Sequence, residues 1–171
     1  LSDGITTLIG ANGSGKTAFL EALTRVFGVT RDQRTVRRND FYVAPEEVSE
    51  AKSSQELSID VYLSFPELTE DVESDYEVAD CFRHMTLTEV GGVPVCRVRL
   101  EAIWTEDGTV DGNIDQTLWW VTTDDETPDD EHKKPLEGFE RGLVQVHYVP
   151  ATRDASSQLT YATNAMAGRL L

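Results

Sequence analysis

The N-terminal part of the chain combines a short apolar run with a longer segment of helical periodicity. The β-branched run at residues 5–9 predicts a strand. Apolar residues then recur at helical spacing from Phe19 to Phe27, and Gly28 follows where a helix-ending glycine is common. Between the two lies a glycine-rich stretch. The pattern predicts a strand, a tight loop and a helix in direct succession.

Three later segments alternate apolar and polar residues with a period of two, which is typical of half-buried strands. They lie at residues 57–65, 96–104 and 114–122. Together they predict an antiparallel sheet over about residues 57–122. The first segment is expected to have a buried face and a wet face, and the wet face carries Ser58, Asp60, Tyr62 and Ser64. The middle segment likewise has an apolar side and a polar side, the latter with Arg97, Arg99 and Glu101.

Five further segments complete the predicted order. Residues 29–47 are expected to be irregular, and residues 68–82 form an acidic amphipathic helix. The acid-rich residues 123–135 predict a solvated, mobile loop. Residues 143–149 are mostly apolar, which predicts a strand buried on both faces. Asp154 can cap a final helix that continues to the end of the chain.

The net charge of the chain restricts the partners that it can bind. The 171 residues include 31 acidic and 15 basic ones, for a net charge of −16. Because nucleic-acid phosphates repel such a surface, DNA cannot be wrapped by the chain as a whole. Any DNA contact must be local, or must come from another part of the protein.

Cellular location follows from what the sequence lacks. No apolar run approaches the roughly 18 residues that a membrane span needs, so no membrane partner is expected. Cys81 and Cys96 are too few for a disulfide framework and predict reduced thiols in the cytoplasm. The glycine-rich loop comes soon after Leu1, and the last predicted helix runs to Leu171. We therefore expect one lobe of a larger protein.

Residues 10–17 match the phosphate-binding pattern G-x-x-x-x-G-K-[ST] in full. Its glycines allow the backbone to curl so that successive N–H groups point at phosphates, and the following helix N-terminus favours an anion. Lys16 is predicted to reach the β- and γ-phosphates, and Thr17 to ligate Mg²⁺. ATP and Mg²⁺ are therefore the predicted cofactors. The predicted nucleotide-binding residues are Gly10, Asn12, Gly13, Ser14, Gly15, Lys16 and Thr17.

Five segments share their order and character with one known family: residues 9–17, 20–23, 38–41, 57–65 and 146–154. Together they resemble the OLD (overcoming lysogenization defect) family, whose members are ATP-dependent nucleases and include phage-defence proteins. The resemblance implies an α/β P-loop NTPase fold, namely an ABC-type ATPase lobe with an inserted antiparallel sheet. Residues 1–171 would be the N-terminal part of that ATPase domain. A Toprim nuclease domain, if present, would lie outside this chain.

The same resemblance implies partners and a second part of the site. In ABC-type relatives the nucleotide lies between the phosphate loop of one subunit and the signature loop of another, which implies a homodimer or a higher assembly. DNA is the implied partner of the full protein. Arg153 and Asp154 occupy the region where relatives carry the Q-loop and would face the γ-phosphate. A helix cap with a surface ion pair explains these two residues equally well.

Three departures from the family pattern leave the catalytic residue unknown. No acid ends an apolar strand in the Walker B manner, and no Ser-Gly-Gly signature occurs. The nearby glutamines, Gln145 and Gln158, fall inside a predicted strand and a predicted helix. A RecF- or SMC-like ATPase that acts as a clamp or scaffold is the alternative. A small-molecule kinase is a third hypothesis, which the inserted sheet and the missing lid helix oppose.

Two sets of side chains can be explained either structurally or functionally. The first is a basic cluster: Arg31, Arg34, Arg37 and Arg38. We favour a solvated cluster that balances nearby acids, and contact with DNA or phosphate is the alternative. The other is an aromatic set on strands, for which sheet packing is favoured over base stacking: Trp104, Trp119 and Trp120.

Overall fold

The computed structural model describes residues 4–42, 53–66, 84, 86–87, 92–109 and 111–149. Two compact units make up the chain: Leu1–Thr35 with Val144–Leu171, and Val36–Leu143. The first contains the phosphate-loop motif and the second contains the sheet. The predicted helices at 68–82 and after Asp154 lie outside the described residues.

The first unit is built around helix α1 (Lys16–Phe27), which confirms the predicted helix. A one-turn helix, α2 (Arg31–Arg34), follows it, so the segment predicted as irregular begins with regular structure. A capping box explains α2: the Gln33 N–H donates to Thr30 Oγ1, and the Thr30 N–H donates to Gln33 Oε1.

Gly28 ends α1, as predicted, but for a different reason from the one the pattern suggests. Its φ of −57° is not left-handed, so the position does not exploit the freedom of glycine to adopt positive φ. A Cβ there would lie 2.5 Å from the Thr24 carbonyl oxygen and 2.8 Å from Gln33 Cβ. Close approach of α1 to the α2 segment therefore requires glycine.

The strands predicted at residues 5–9 and 143–149 do not form, so both predictions are wrong. Residues 5–9 form no ladder, and Ile5 is 97% exposed. Residues 143–149 form only one parallel bridge, in which the Val146 N–H donates to the Phe27 carbonyl at 2.9 Å. β-Branched and apolar residues favour a strand only where a second backbone supplies the ladder hydrogen bonds. No such ladder is present at either segment.

The second unit is an antiparallel sheet. Its strands are β1 (Ser54–Ser64), β2 (Thr86–Leu87), β3 (Pro94–Thr105), β4 (Asn113–Val121) and β5 (Lys133–Pro135). Among the described residues the order is β1-β3-β4-β5, and β2 pairs with the first residues of β3. The three predicted strands are confirmed as β1, β3 and β4. The β3–β4 hairpin turns through Gly108 (φ +83°) and Gly112 (φ +68°), where positive φ favours glycine.

One face of the sheet is the apolar core. Register places Val61, Val98 and Trp120 side by side across β1, β3 and β4, and Leu100 opposite Leu118. Val98 and Leu100 are fully buried. At one end of this face the Val36 N–H donates to Gln116 Oε1 at 2.7 Å. The predicted sheet packing of Trp104 and Trp120 is confirmed, since they are 8% and 2% exposed.

The opposite face is polar, as predicted, but its two arginines are buried. Arg97 and Arg99 are only 3% and 9% exposed. Asp60 on β1 accepts from Arg97 Nε at 2.8 Å and from Arg99 at 3.1 Å. Asp60 pairs with both guanidinium groups, and Glu101 Oε1 also pairs with Arg99 Nε at 3.1 Å. Because two carboxylates balance the two guanidinium charges, both arginines can be buried.

The acidic segment 123–135 covers these arginines and is structured, which corrects its prediction as a solvated loop. The carbonyls of Thr123 and Asp125 accept from Arg97, and that of Glu126 accepts from Arg99, at 2.7–2.8 Å. A 3-10 helix at Asp130–His132 and β5 follow. The backbone carbonyls of the segment hold it against the sheet. The prediction of a mobile loop considered only its acidic side chains.

Candidate nucleotide-binding site

The phosphate-loop motif forms an exposed turn that leads into α1. Gly13 and Gly15 both have φ of +83°, which side-chain-bearing residues rarely adopt. A Cβ on either would have no atom within 4 Å, so both positions border open space. The Ser14 N–H donates back to the Ala11 carbonyl at 3.3 Å, which closes the turn. Space is therefore open on the Cβ side of Gly13 and Gly15.

Gly10 lies across the loop from Ser14. A Cβ at Gly10 would lie 2.6 Å from Ser14 Oγ, which rotation of that short side chain relieves, and 3.4 Å from Ser14 Cβ. The curl of the loop therefore depends on positive φ at Gly13 and Gly15 more than on the small size of Gly10.

Lys16 places its ammonium group at the centre of this loop. Nζ donates to the Gly10 carbonyl at 2.8 Å, to the Ala11 carbonyl at 2.6 Å and to Ser14 Oγ at 3.2 Å. The residue is half-buried, while its neighbours in the loop are exposed. The positive charge is thus held by the loop itself, against the carbonyls of Gly10 and Ala11.

The N-terminus of α1 adds donors at the same place. Its N-cap is Gly15, which has no side chain to satisfy the first turn. The first intrahelical bond runs from the Phe19 N–H to the Gly15 carbonyl, so the N–H groups of Lys16, Thr17 and Ala18 precede the helical ladder. Together with the helix dipole, these groups form the kind of terminus that binds phosphate.

These features fit a nucleotide polyphosphate. Lys16 and the amides of the loop would hold the phosphates, and the exposed hydroxyl of Thr17 would supply one ligand to Mg²⁺. The bound metal ion would neutralise charge between phosphates. Asn12 and Ser14 are also exposed on the loop. All seven residues predicted from the motif therefore lie in one compact loop and the first turn of α1.

Outside the motif, the structure describes two of the residues considered from the sequence, Gln145 and Glu21. Arg153, Asp154 and Gln158 lie outside the described residues. Gln145 is exposed, in the segment that does not form the predicted strand. Glu21, the acid nearest in sequence, lies on an exposed part of α1. The catalytic base is therefore not identified.

Two members of the basic cluster make contacts within the protein. Arg34 donates to the carbonyls of Gly28 and Val29, both at 2.8 Å, and so stabilises the turn after α1. Arg38 lies over the Trp104 ring and donates to Gln55. The favoured interpretation of a solvated cluster is wrong for these two. The partners of Arg38 are distant in sequence, so no local pattern indicates them.

Comparison with known proteins supports the motif. Residues 5–86 match the family described as "AAA domain, putative AbiEii toxin, Type IV TA system". The match supports a nucleotide-binding ATPase. It spans just under half of the chain and ends before β3. No curated protein and no solved structure is significantly similar to the chain. Within the described residues, no helix has the length and apolar character needed to cross a membrane.

Proposed function

We propose that this chain is the ATP-binding lobe of an OLD-like ATPase that couples ATP binding and hydrolysis to DNA processing or phage defence. Nuclease activity would come from a domain outside the chain. The observation that carries the proposal is the placement of Lys16 Nζ inside a loop whose two positive-φ glycines border open space. The match to an AAA family supports the ATPase part.

The lobe would work as half of a composite site. The chain carries a phosphate loop but neither a signature sequence nor a Walker B acid. We therefore propose that a second subunit completes the nucleotide-binding site. Nucleotide binding would then promote a homodimer or a higher assembly. The 171-residue chain alone should release phosphate at little above background, because hydrolysis needs a water-positioning group and a second phosphate clamp.

Lys16→Ala tests the nucleotide site. Removing the ammonium group takes away a charge-assisted contact to phosphate but opens no core cavity, because Lys16 lies in a surface loop. We expect at least a tenfold loss of ATP affinity, because a hydrogen bond to a charged group contributes about 1.5–3 kcal/mol. Thr17→Ala should show a smaller loss that appears only with Mg²⁺. Nucleotide titration by calorimetry measures both effects.

Lys134→Ala is the matched control, since it removes an exposed lysine from the other unit. Circular dichroism establishes that each variant is folded. If Lys16→Ala binds ATP as tightly as Lys134→Ala does, the assignment of the loop is wrong.

Two other assignments are compatible with the same phosphate loop. A RecF- or SMC-like clamp would use the same phosphate loop and sheet without cutting DNA. A toxin component of a type IV toxin–antitoxin system is the second candidate, because the matching family is described in those words. Nucleotide binding is common to all of these assignments, so the Lys16 experiment tests their shared basis.

A further inference from the structure

Strand β1 lies at one end of the sheet order, and among the described residues no strand pairs with its outer edge. The hydrogen bonds at its two ends fix which backbone groups face that edge. The Phe65 N–H donates to the Pro94 carbonyl at 3.0 Å, and the Ser53 carbonyl accepts from the Glu106 N–H at 2.9 Å. Because hydrogen-bonded and non-hydrogen-bonded pairs alternate along an antiparallel ladder, the odd-numbered residues of β1 direct their N–H and C=O groups at β3. The even-numbered residues direct theirs outward.

β1 has few of the features that protect an edge strand from further pairing. Its register with β3 runs without a bulge from Ser54 to Ser64, and the strand contains neither proline nor glycine. Its charged residues are Glu56 and Asp60, and the Asp60 carboxylate already pairs with two arginines of β3. A long edge strand without such protection is a template for an additional strand.

The apolar side of β1 is incompletely covered. Its apolar residues are only half-buried, whereas the residues opposite them on β3 are at most 2% exposed. The four pairs, with the β1 residue first, are Leu57 with Ala102, Ile59 with Leu100, Val61 with Val98 and Leu63 with Cys96. A strand added at the outer edge would extend this apolar side and remove more of the β1 side chains from water.

The sequence of β1 is complementary to itself about Ile59. When a two-fold axis relates two antiparallel copies of one strand, residues at equal distances on either side of the axis lie opposite each other. An axis at Ile59 pairs the whole strand, from Ser54 opposite Ser64 of the second copy. Ile59 then lies opposite its own copy and Leu57 opposite Val61 of the second copy, so the apolar sides match. The outward-facing backbone groups of one copy also meet those of the other.

The charged residues favour the same register. With the axis at Ile59, Asp60 lies opposite Ser58 of the second copy and Glu56 opposite Tyr62, so no like charges face each other directly. An axis at Asp60 would place two Asp60 carboxylates opposite each other, and an axis at Ser58 would place Glu56 opposite Asp60. In the Ile59 register the two Asp60 residues are diagonal neighbours, roughly 7–8 Å apart. Each of them is paired with Arg97 and Arg99.

We propose that the outer edge of β1 binds the same edge of a second copy of this chain, in an antiparallel register centred at Ile59. The contact joins the two sheets into one continuous sheet. It goes beyond the proposed function, because it is made by the sheet unit and needs no nucleotide. The assembly proposed above depends instead on the phosphate loop.

Analytical ultracentrifugation of the 171-residue chain without nucleotide, over a series of protein concentrations, tests the proposal. An ionic strength of about 0.15 M screens charges more than about 8 Å apart, which limits repulsion between copies that each carry −16. We expect a reversible equilibrium between monomer and dimer. Ser58→Glu should raise the dissociation constant about tenfold, because the new carboxylate faces Asp60 of the second copy and the two-fold axis creates this pair twice. Ser58→Lys, which places an opposite charge there, should not weaken the dimer.

Thr7→Glu is the matched control, since it makes the same change of net charge at an exposed residue of the other unit. Circular dichroism establishes that each variant is folded. Equal weakening by Thr7→Glu and Ser58→Glu would show an effect of net charge alone and would overturn the proposal. A wild-type chain that stays monomeric would overturn it as well and would assign the edge to a different occupant.

Ile59→Cys tests the register. Ile59 and its copy would form a non-hydrogen-bonded pair with Cα atoms about 4.5 Å apart, a separation that a disulfide can span. Oxidation with copper phenanthroline should therefore yield a covalent dimer. Leu57→Cys is the matched control, because Leu57 is equally half-buried on the same side of β1 but would face Val61 of the second copy. Wild type, which keeps Cys81 and Cys96, gives the background. Equal cross-linking of the two variants, or none above background, contradicts the register.

ATP and the Lys16→Ala variant separate this contact from the proposed function. The β1 dimer should form equally with and without ATP, and Lys16→Ala should retain it. A dimer that requires ATP and is lost in Lys16→Ala would support the composite nucleotide site and overturn the edge contact. A chain that forms the β1 dimer but does not bind ATP contradicts only the proposed function.

Discussion

The Trp120 indole donates a hydrogen bond to the buried carboxylate of Glu140, with 3.1 Å between Nε1 and Oε2. The same oxygen accepts from the Glu137 N–H at 3.0 Å. Glu137 is the N-cap of a one-turn helix, α3 (Gly138–Arg141), and Trp120 lies on the core face of β4. One carboxylate, only 4% exposed, therefore attaches α3 to the sheet.

Glu140→Ala should destabilise the chain by about 2 kcal/mol, because the buried Trp120 indole and the part-buried Glu137 N–H lose their acceptor. Glu140→Gln should cost less, since an amide oxygen remains in place. Urea unfolding followed by tryptophan fluorescence gives both free energies of unfolding. Glu106→Ala, which removes an exposed glutamate from the same unit, is the control. Equal stability of Glu140→Ala and Glu106→Ala would show that the contact contributes nothing.

Asp60→Asn should destabilise the sheet by about 3 kcal/mol, the scale for removing one partner of a buried ion pair. Burial acts to lower the pKa of Arg97, but the hydrogen bond and the charge of Asp60 outweigh it, so this pKa is raised. Arg97 therefore stays charged at every working pH, and its charge would lack the carboxylate. Glu56→Gln, an exposed acid on the same strand, should have little effect. Similar urea unfolding midpoints for Asp60→Asn and Glu56→Gln would contradict the prediction.

Gly28→Ala should destabilise the first unit by about 1–3 kcal/mol, as expected for overpacking. The backbone at Gly28 is compatible with alanine, so the effect comes from the 2.5 Å and 2.8 Å approaches to Thr24 and Gln33. Gly138→Ala is the contrasting variant, because a Cβ there meets nothing within 4 Å. It should leave stability unchanged or raise it slightly. Thermal unfolding by circular dichroism compares them, and a harmless Gly28→Ala would disprove the packing argument.

Asp107 should titrate below its ordinary value. The Thr109 hydroxyl and the Thr109 N–H both donate to its Oδ1, at 2.6 Å and 2.9 Å, and lower its pKa. Because the folded pKa is the lower one, the stabilisation is present above the unfolded pKa, about 4, and is lost as pH falls through the folded value. Thr109→Val should raise the pKa of Asp107, as measured by carboxyl NMR titration. An unaltered Asp107 titration would argue against the hydroxyl contact.

Local patterns were sufficient to predict the phosphate loop, α1 and the three long strands. The motif at residues 10–17 specifies backbone geometry through glycines at fixed spacing, and alternation in β3 specifies which side is apolar. These features depend on residues close together in the chain. The predicted binding function of the loop residues remains a prediction that the Lys16 experiment addresses.

Tertiary structure decided which polar residues are buried and which apolar runs become strands. Arg97 and Arg99 lie on the polar side of an alternating segment in the sequence, but Asp60 and the carbonyls of residues 123–126 bury them. Residues 5–9 are β-branched, yet they form no ladder among the described residues. A strand or a buried charge depends on partners that are distant in the chain. The sequence by itself therefore determined the loop, α1 and the alternation of the sheet, whereas the pairing of charges and the Arg38–Trp104 contact required the folded chain.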